Sequence, residues 1–295
     1  MTVSHGASWI YFKLYPGLFG SGFDHLVATD LAQIGARPEV GKWHFLRMTD
    51  DGGPHLRLRF LPASPEALQS LAVQLERQLS TLVSELAVTP ESPFTPLVGT
   101  ARGAGPAPGF SRALVQRDTY EPETGKYGTG EMLEACETHF QLSSEIAAAI
   151  IGAELLEGRS RKWMAPLLMA RCVQLFDLPR STHQFLADYS DYWMRGANAA
   201  QSQFDEKITE IRKTAFDPLD AGALLTDDET ALLAKWEISV RAMSRAAAHH
   251  MPQNDNFRDQ LAFNLCHLMM NRLGFPAADE AYLARLVSAF DGVAA

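Results

Sequence analysis

Nine prolines and glycines fall between Thr89 and Phe110, and the chain's apolar periodicity differs on their two sides: Pro90, Pro93, Pro96, Gly99, Gly103, Gly105, Pro106, Pro108 and Gly109. Proline lacks the donor that a ladder needs and glycine loses the most backbone freedom on ordering, so the stretch about 89–110 reads as a mobile surface loop or linker. Before it, apolar residues alternate with period two. In Trp9–Tyr15, Ile10, Phe12 and Leu14 share one side while Trp9, Tyr11, Lys13 and Tyr15 share the other, the pattern of a strand with one apolar face. Trp43–Met48, the turn Asp50-Asp51-Gly52-Gly53-Pro54 and the run HLRLRF predict a β-hairpin. Ser64-Pro65-Glu66 then opens a helix with a hydroxyl at the cap and proline at the first position. Leu68, Leu71, Leu75, Leu79, Leu82 and Leu86 give that helix an apolar stripe over about 22 residues.

After the Pro/Gly stretch, Ala113–Tyr120 reads as one more strand. From Gly130 onward the period becomes 3.6, with helices expected over Glu131–Gly152, Trp163–Leu175, Ser181–Met194, Asp228–His250 and Asp255–Leu273. No internal repeat is present. The expected class is α+β: a small, mostly antiparallel sheet with an amphipathic helix in residues 1–128, packed on a helical bundle in residues 129–295, the two together making one unit.

A chain of 295 residues, 46% apolar, can bury one large core or two modest ones. Its formal charge of −9 and the scatter of its basic residues argue against nucleic acid as a direct partner. Cys136, Cys172 and Cys266 lie far apart without a CxxC pair, which argues against a disulfide framework or a thiolate zinc site and fits a reducing cytoplasm. The N-terminus lacks the basic head and apolar stretch of a signal peptide, and no window is long and apolar enough to span a bilayer. HExxH, a Gly-rich phosphate loop and GxSxG are all missing, so the common metal, nucleotide and serine-hydrolase readings fall away.

Three segments carry groups able to do chemistry. Alternation in HLRLRF puts His55, Arg57 and Arg59 on one face and Leu56, Leu58 and Phe60 in the core. Neighbouring cations repel, so the row suits an anion, although an edge strand with solubilising arginines reads the same way. In the last of the predicted helices Asn264, His267 and Asn271 form a polar line among Phe263, Leu265, Leu268, Met269 and Met270, where buried polar groups need partners. A core histidine with satisfied hydrogen bonds is the alternative there. The junction Tyr120-Glu121-Pro122-Glu123-Thr124-Gly125-Lys126-Tyr127-Gly128 joins the two halves with two acids, a base and two tyrosines, either as a functional loop or as a solvated connection.

WIYFKLY, the hairpin KWHFLRMTDDGGPHLRLRF, TYEPETGKYG, EMLEACETHFQLSS and HLMMNRLG, in this order, resemble the C-terminal elimination domain of class I lanthipeptide dehydratases and the free-standing thiopeptide-type bacteriocin biosynthesis proteins that share it. The resemblance runs from about residue 8 to 275. It implies a lyase that removes glutamate from glutamylated Ser or Thr of a precursor peptide, leaving dehydroalanine or dehydrobutyrine, without a metal or organic cofactor. It further implies a precursor peptide with a leader and a separate tRNA-dependent glutamylating protein as partners. A homodimer remains open. By the resemblance Arg57 and Arg59 hold the glutamyl adduct, Glu123 matches the acid of the family's E-x-x-R-Y-G-G segment, and His267 transfers the proton. Lys126 and Thr129 depart from that pattern, which usually has Arg and Gly; lysine keeps the charge without the bidentate fork. His55, Tyr120, Tyr127, Asn264 and Asn271 are expected to bind substrate beside the catalytic set. Two alternatives stay open: a thiopeptide pyridine synthase, joining two dehydroalanines by [4+2] cycloaddition and expelling the leader, and a non-catalytic partner that binds a leader along a sheet edge.

Overall fold

The computed structural model describes residues 8–15, 21–85, 96–98, 114–194, 199–214, 217–220 and 224–291. Most of the Pro/Gly stretch 89–110 lies outside them. The fold is α+β. Strands β1 (Ile10–Tyr15), β2 (Val40–Asp50), β3 (Gly53–Pro62) and β4 (Leu114–Asp118) form one antiparallel sheet of order β2-β3-β1-β4. The predicted hairpin is β2–β3, turning through Asp51 and Gly52.

Two compact units divide the chain: 1–94 with 101–159 and 272–274, and 95–100 with 160–271 and 275–295. In the first, helix α1 (Leu68–Glu85), opened by a 3₁₀ turn at Pro65–Ala67, packs on β1, β3 and β4. Helix α2 (Glu131–Glu157) packs on β2 and against a helical connection, Ser21–Gly35, whose middle part Leu26–Leu31 is a π-helix. This connection was not evident from periodicity. Leu56, Leu58 and Phe60 are fully buried beside Ile10, Phe12 and Leu14, as the alternation requires.

Strand β1 differs from its expected one-sided pattern, because Trp9, Tyr11 and Tyr15 are buried too. It lies between β3 and β4 rather than at an edge, and aromatic neighbours cover its second face: Trp9, Tyr11 and Tyr120 cluster there with Leu61.

The second unit holds α3 (Arg161–Leu175), α4 (Thr182–Trp193), α5 (Ala199–Lys213), α6 (Asp227–His250), α7 (Asp255–Leu273) as far as Asn271, and α8 (Ala277–Phe290). Helices α5 and α8 went unpredicted. Ser181 caps α4, and Thr226 with Glu229 makes a capping box on α6. Gly274, at φ 85°, ends α7, and the amide of Phe275 donates back to the Met270 carbonyl at 3.1 Å, the Schellman arrangement. Helix α8 is the most enclosed, packing against α4, α3 and α5, with Phe204 and Ile208 of α5 meeting Tyr282 and Phe290. Its Asp279 carboxylate accepts from the amides of Leu97 and Val98 at 2.8 and 2.9 Å.

Gly35 closes the helical connection against the buried indole of Trp43. A Cβ there would lie 2.1 Å from Trp43 Nε1. Gly35→Ala is therefore expected to cost about 1–3 kcal/mol through overpacking, read as a lower urea midpoint at unchanged slope.

Candidate functional site

The polar face of the sheet is built by register. Arg59 stands between Tyr11 of β1 and His44 of β2, and Arg57 between Lys13 and Leu46. Lys13 is committed to Asp118 at 3.1 Å. Arg59 lies over the rings of Tyr120, 4.6 Å from its centroid, and Tyr11, at 5.1 Å. Among the described residues neither Arg57 nor Arg59 forms a salt bridge, and the Nε of each is buried without a hydrogen-bond partner. Desolvation lowers the Arg59 pKa, opposed by Tyr120, Tyr11 and Glu123, while Arg57 adds to the fall.

His55 is withdrawn from solvent, unlike the two arginines that follow it on the strand. It is fully buried at the hairpin turn, its ring 4.6 Å from that of Tyr15 and its Nδ1 3.1 Å from the Gly53 carbonyl oxygen. Burial pulls its pKa down, against the pull of Gly53 and Asp50. The strand alternation fixes a residue's side of the sheet but says nothing about how far along the strand the cover extends.

The junction lies in the same unit. Glu123 opens a single helical turn, Thr124–Tyr127, and its carboxylate holds Lys126 Nζ at 3.0 Å, with both side chains more than half exposed. Such a pair contributes little to stability. Tyr120 and Tyr127 are buried, and burial raises both phenols. The Tyr120 hydroxyl donates to Glu137 at 3.3 Å, and the Tyr127 ring meets Phe140 edge-on at 4.9 Å.

Two residues that were not anticipated join this face. Arg272, in the last turn of α7, is 1% exposed. Its Nε donates to Ser144 Oγ at 3.0 Å, its guanidinium lies 5.6 Å from the Phe140 centroid, and both Nη atoms are buried without partners. Desolvation pushes its pKa down to about 9, with Tyr127 opposing and Arg59 adding to the fall. His44, equally buried and 5.4 Å from Phe140 ring to ring, is held well below the usual histidine range by burial and then by Arg59 and Arg272. Arg57, Arg59 and Arg272 thus give the first unit three guanidiniums that no carboxylate pairs among the described residues. Arg272 sits in the quoted segment HLMMNRLG, yet its position in the last turn reads in sequence as an ordinary dipole-favoured cation. His44 had no signal, being one residue of a hairpin.

In the second unit His267 is half-buried on α7. Its Nδ1 lies 3.1 Å from both carboxylate oxygens of Glu280, and its ring lies 4.6 Å from that of Trp193. Glu280, 2% exposed, was also missed: in the first turn of a helix an acid reads as a dipole charge. Asn264 and Asn271 are half-buried on the same helix. The polar line predicted there therefore has an anionic partner at its histidine. Among the described residues no group of three or more His, Cys, Asp and Glu could hold a metal ion, and no helix is long and apolar enough to cross a membrane.

A family model described as lantibiotic biosynthesis dehydratase C-term matches residues 9–290. No curated protein matches the chain in sequence. Among solved structures, the tRNA dependent lantibiotic dehydratase MibB from Microbispora sp. 107891 superposes with TM-score 0.64 at 19% identity, over 98% of this chain and 28% of its own. The chain thus spans under a third of MibB. The pyridine synthase TbtD from thiomuracin biosynthesis superposes with TM-score 0.67 at 16% identity, over 95% of this chain and 96% of its own. TsrL gives 0.56 at 15%, over 96% and 94%. At these identities the likeness is one of fold.

Arg272→Met removes the buried charge while keeping much of the volume, and should leave the urea midpoint at pH 7 unchanged or higher. With the folded-state pKa near 9 and the unfolded one at the ordinary 12.5, the folded chain binds fewer protons between those values. The parent's penalty is therefore full below pH 9 and fades above it. Denaturation across that range should show the stability gap between Arg272→Met and the parent narrowing as pH rises; a variant less stable at pH 7 would mean the guanidinium is well paired.

Proposed function

We propose that this chain, which belongs to the lantibiotic biosynthesis dehydratase C-terminal family, is the elimination enzyme of a ribosomally made peptide pathway, removing glutamate from glutamylated Ser or Thr of a precursor peptide. One observation carries the reading: Arg57, Arg59 and Arg272 form a cationic set that no carboxylate pairs among the described residues. Burying such charges costs stability, and an anionic ligand is what offsets it.

The reaction needs this. A glutamylated serine carries an ester, Cβ–O–C(=O), to a glutamate that retains a second carboxylate. A base takes the Cα proton, its electrons form the Cα=Cβ bond, the Cβ–O bond breaks, and the ester oxygen departs within a new carboxylate. The substrate thus brings one anion and generates another in the transition state, where fixed donors in a dry site act most strongly. Arg57, Arg59 and Arg272 are assigned to these carboxylates, with Tyr120 and Tyr127 walling the site and Lys126 at its exposed margin. His267 is assigned the Cα proton, because an imidazole is suited to proton transfer near neutral pH. In this reading Glu123 orients Lys126. The partners are the precursor peptide, through its leader, and a separate tRNA-dependent glutamylating protein, which places the reaction in the cytoplasm.

A second reading is favoured by the two-way coverage with TbtD, a pyridine synthase. A [4+2] cycloaddition between dehydroalanines followed by loss of water and leader brings no carboxylate to the arginines, which is why elimination ranks first. A non-catalytic leader-binding partner would leave His267 and its buried acid without a task.

Incubation with a glutamylated precursor, followed by mass spectrometry, separates the readings: loss of glutamate for an eliminase, loss of the leader for a pyridine synthase, no change for a binder. Arg57→Ala and Arg59→Ala should fold and accumulate glutamylated peptide, with rates down by about 10²–10³, the scale of lost transition-state donors. Lys126→Arg should preserve or raise the rate, since it restores a planar fork without disturbing a buried contact.

A further inference from the structure

We infer that Glu280 and Tyr189 are positioning residues that hold His267 with its proton on Nδ1, leaving Nε2 as the nitrogen that meets substrate. This rests on the proposed role of His267, but the geometry stands by itself. The Tyr189 hydroxyl donates to Glu280 Oε2 at 2.5 Å, and His267 Nδ1 lies 3.1 Å from both oxygens of the same carboxylate. A phenol that spends its proton on the carboxylate keeps that group an acceptor, and an acceptor facing Nδ1 requires N–H there. Among the described residues nothing bonds Nε2, and the side chain keeps 29% of its surface accessible. Trp193 lies against the ring at 4.6 Å and fixes its plane.

The arrangement is costly, which argues that it serves a purpose other than folding. Glu280 is almost wholly buried, and desolvation raises its pKa, with the adjacent Asp279 carboxylate adding to the rise and His267 and Tyr189 opposing it. Tyr189 is raised in turn by burial and by Glu280, with the Cys266 thiol contributing. The ionisable groups that act on this pair are thus Cys266, Asp279 and His267, and Glu280 is the one within hydrogen-bond distance of the imidazole among the described residues. A glutamine would fill the same volume and spare the desolvation of a charge.

The test uses the full chain labelled with ¹⁵N-histidine, in mildly alkaline buffer. The parent should show His267 as the Nδ1–H tautomer, with Nε2 resonating as an unprotonated ring nitrogen. Glu280→Gln and Tyr189→Phe should each move population towards Nε2–H, while the thermal midpoint of Glu280→Gln stays level or rises. On glutamylated precursor both variants should lose kcat by about 10- to 100-fold at unchanged KM, less than the about 10²–10⁴ expected on removal of a general base. Glu280→Asp should recover part of the loss. An unaltered tautomer in Glu280→Gln overturns the inference, as does a shifted tautomer with full kcat. Should the parent itself fail to eliminate glutamate, the functional reading falls, while the tautomer still decides whether Glu280 positions the ring.

Discussion

The register of β3 is the constraint on which the rest of the first unit depends. Strand side chains repeat with period two, so a one-residue slip would carry Leu56, Leu58 and Phe60 to the polar face and sink Arg57 and Arg59 into the core. Pairing on both sides forbids the slip: Arg59 is locked opposite Tyr11 on one flank and His44 on the other. The apolar face secures the strand, and the arginine face is a by-product of that security. Packing energy thus sets Arg57 and Arg59 where, among the described residues, no carboxylate pairs them.

The two units hold buried charge differently around their candidate residues. In the first, Arg57, Arg59 and Arg272 have no carboxylate partner among the described residues, unlike Arg47, which Asp24 holds at 2.6 Å, and two nearby imidazoles, His44 and His139, are pushed down: burial with the field of Arg272 brings His139 to about 3. In the second, buried carboxylates are satisfied, Asp279 by two backbone amides and Glu280 by a phenol and an imidazole. An unpaired buried cation awaits a ligand, whereas a satisfied buried anion holds something still. Binding and proton transfer ask for these two different properties.

Much of the architecture was legible because it is periodic. The hairpin, α1 and five of the later helices follow from alternation, leucine spacing and caps, and α7 matches its expected bounds, ended by Gly274. Helix α5 went unread because its apolar residues are sparse among charges, and α8 because it is enclosed almost all round and so lacks one polar face. The candidate residues were legible by chemistry where alternation displayed them, as at Arg57 and Arg59. Their partners were not. Arg272 reaches Ser144 across 128 positions and Tyr189 reaches Glu280 across 91, and no local pattern encodes such separations. His55 shows the converse limit, since its strand side was correct but its depth depends on Tyr15 and on the turn.

Asp279 and Glu280 are neighbours in the first turn of α8, and their carboxylates hold different things. One takes the backbone of Leu97 and Val98, within the stretch that reads in sequence as a linker; the next takes the ring of His267. Two anchors therefore share one helical turn, the carboxylate that ties down Leu97 and Val98 standing one residue from the one that holds the imidazole.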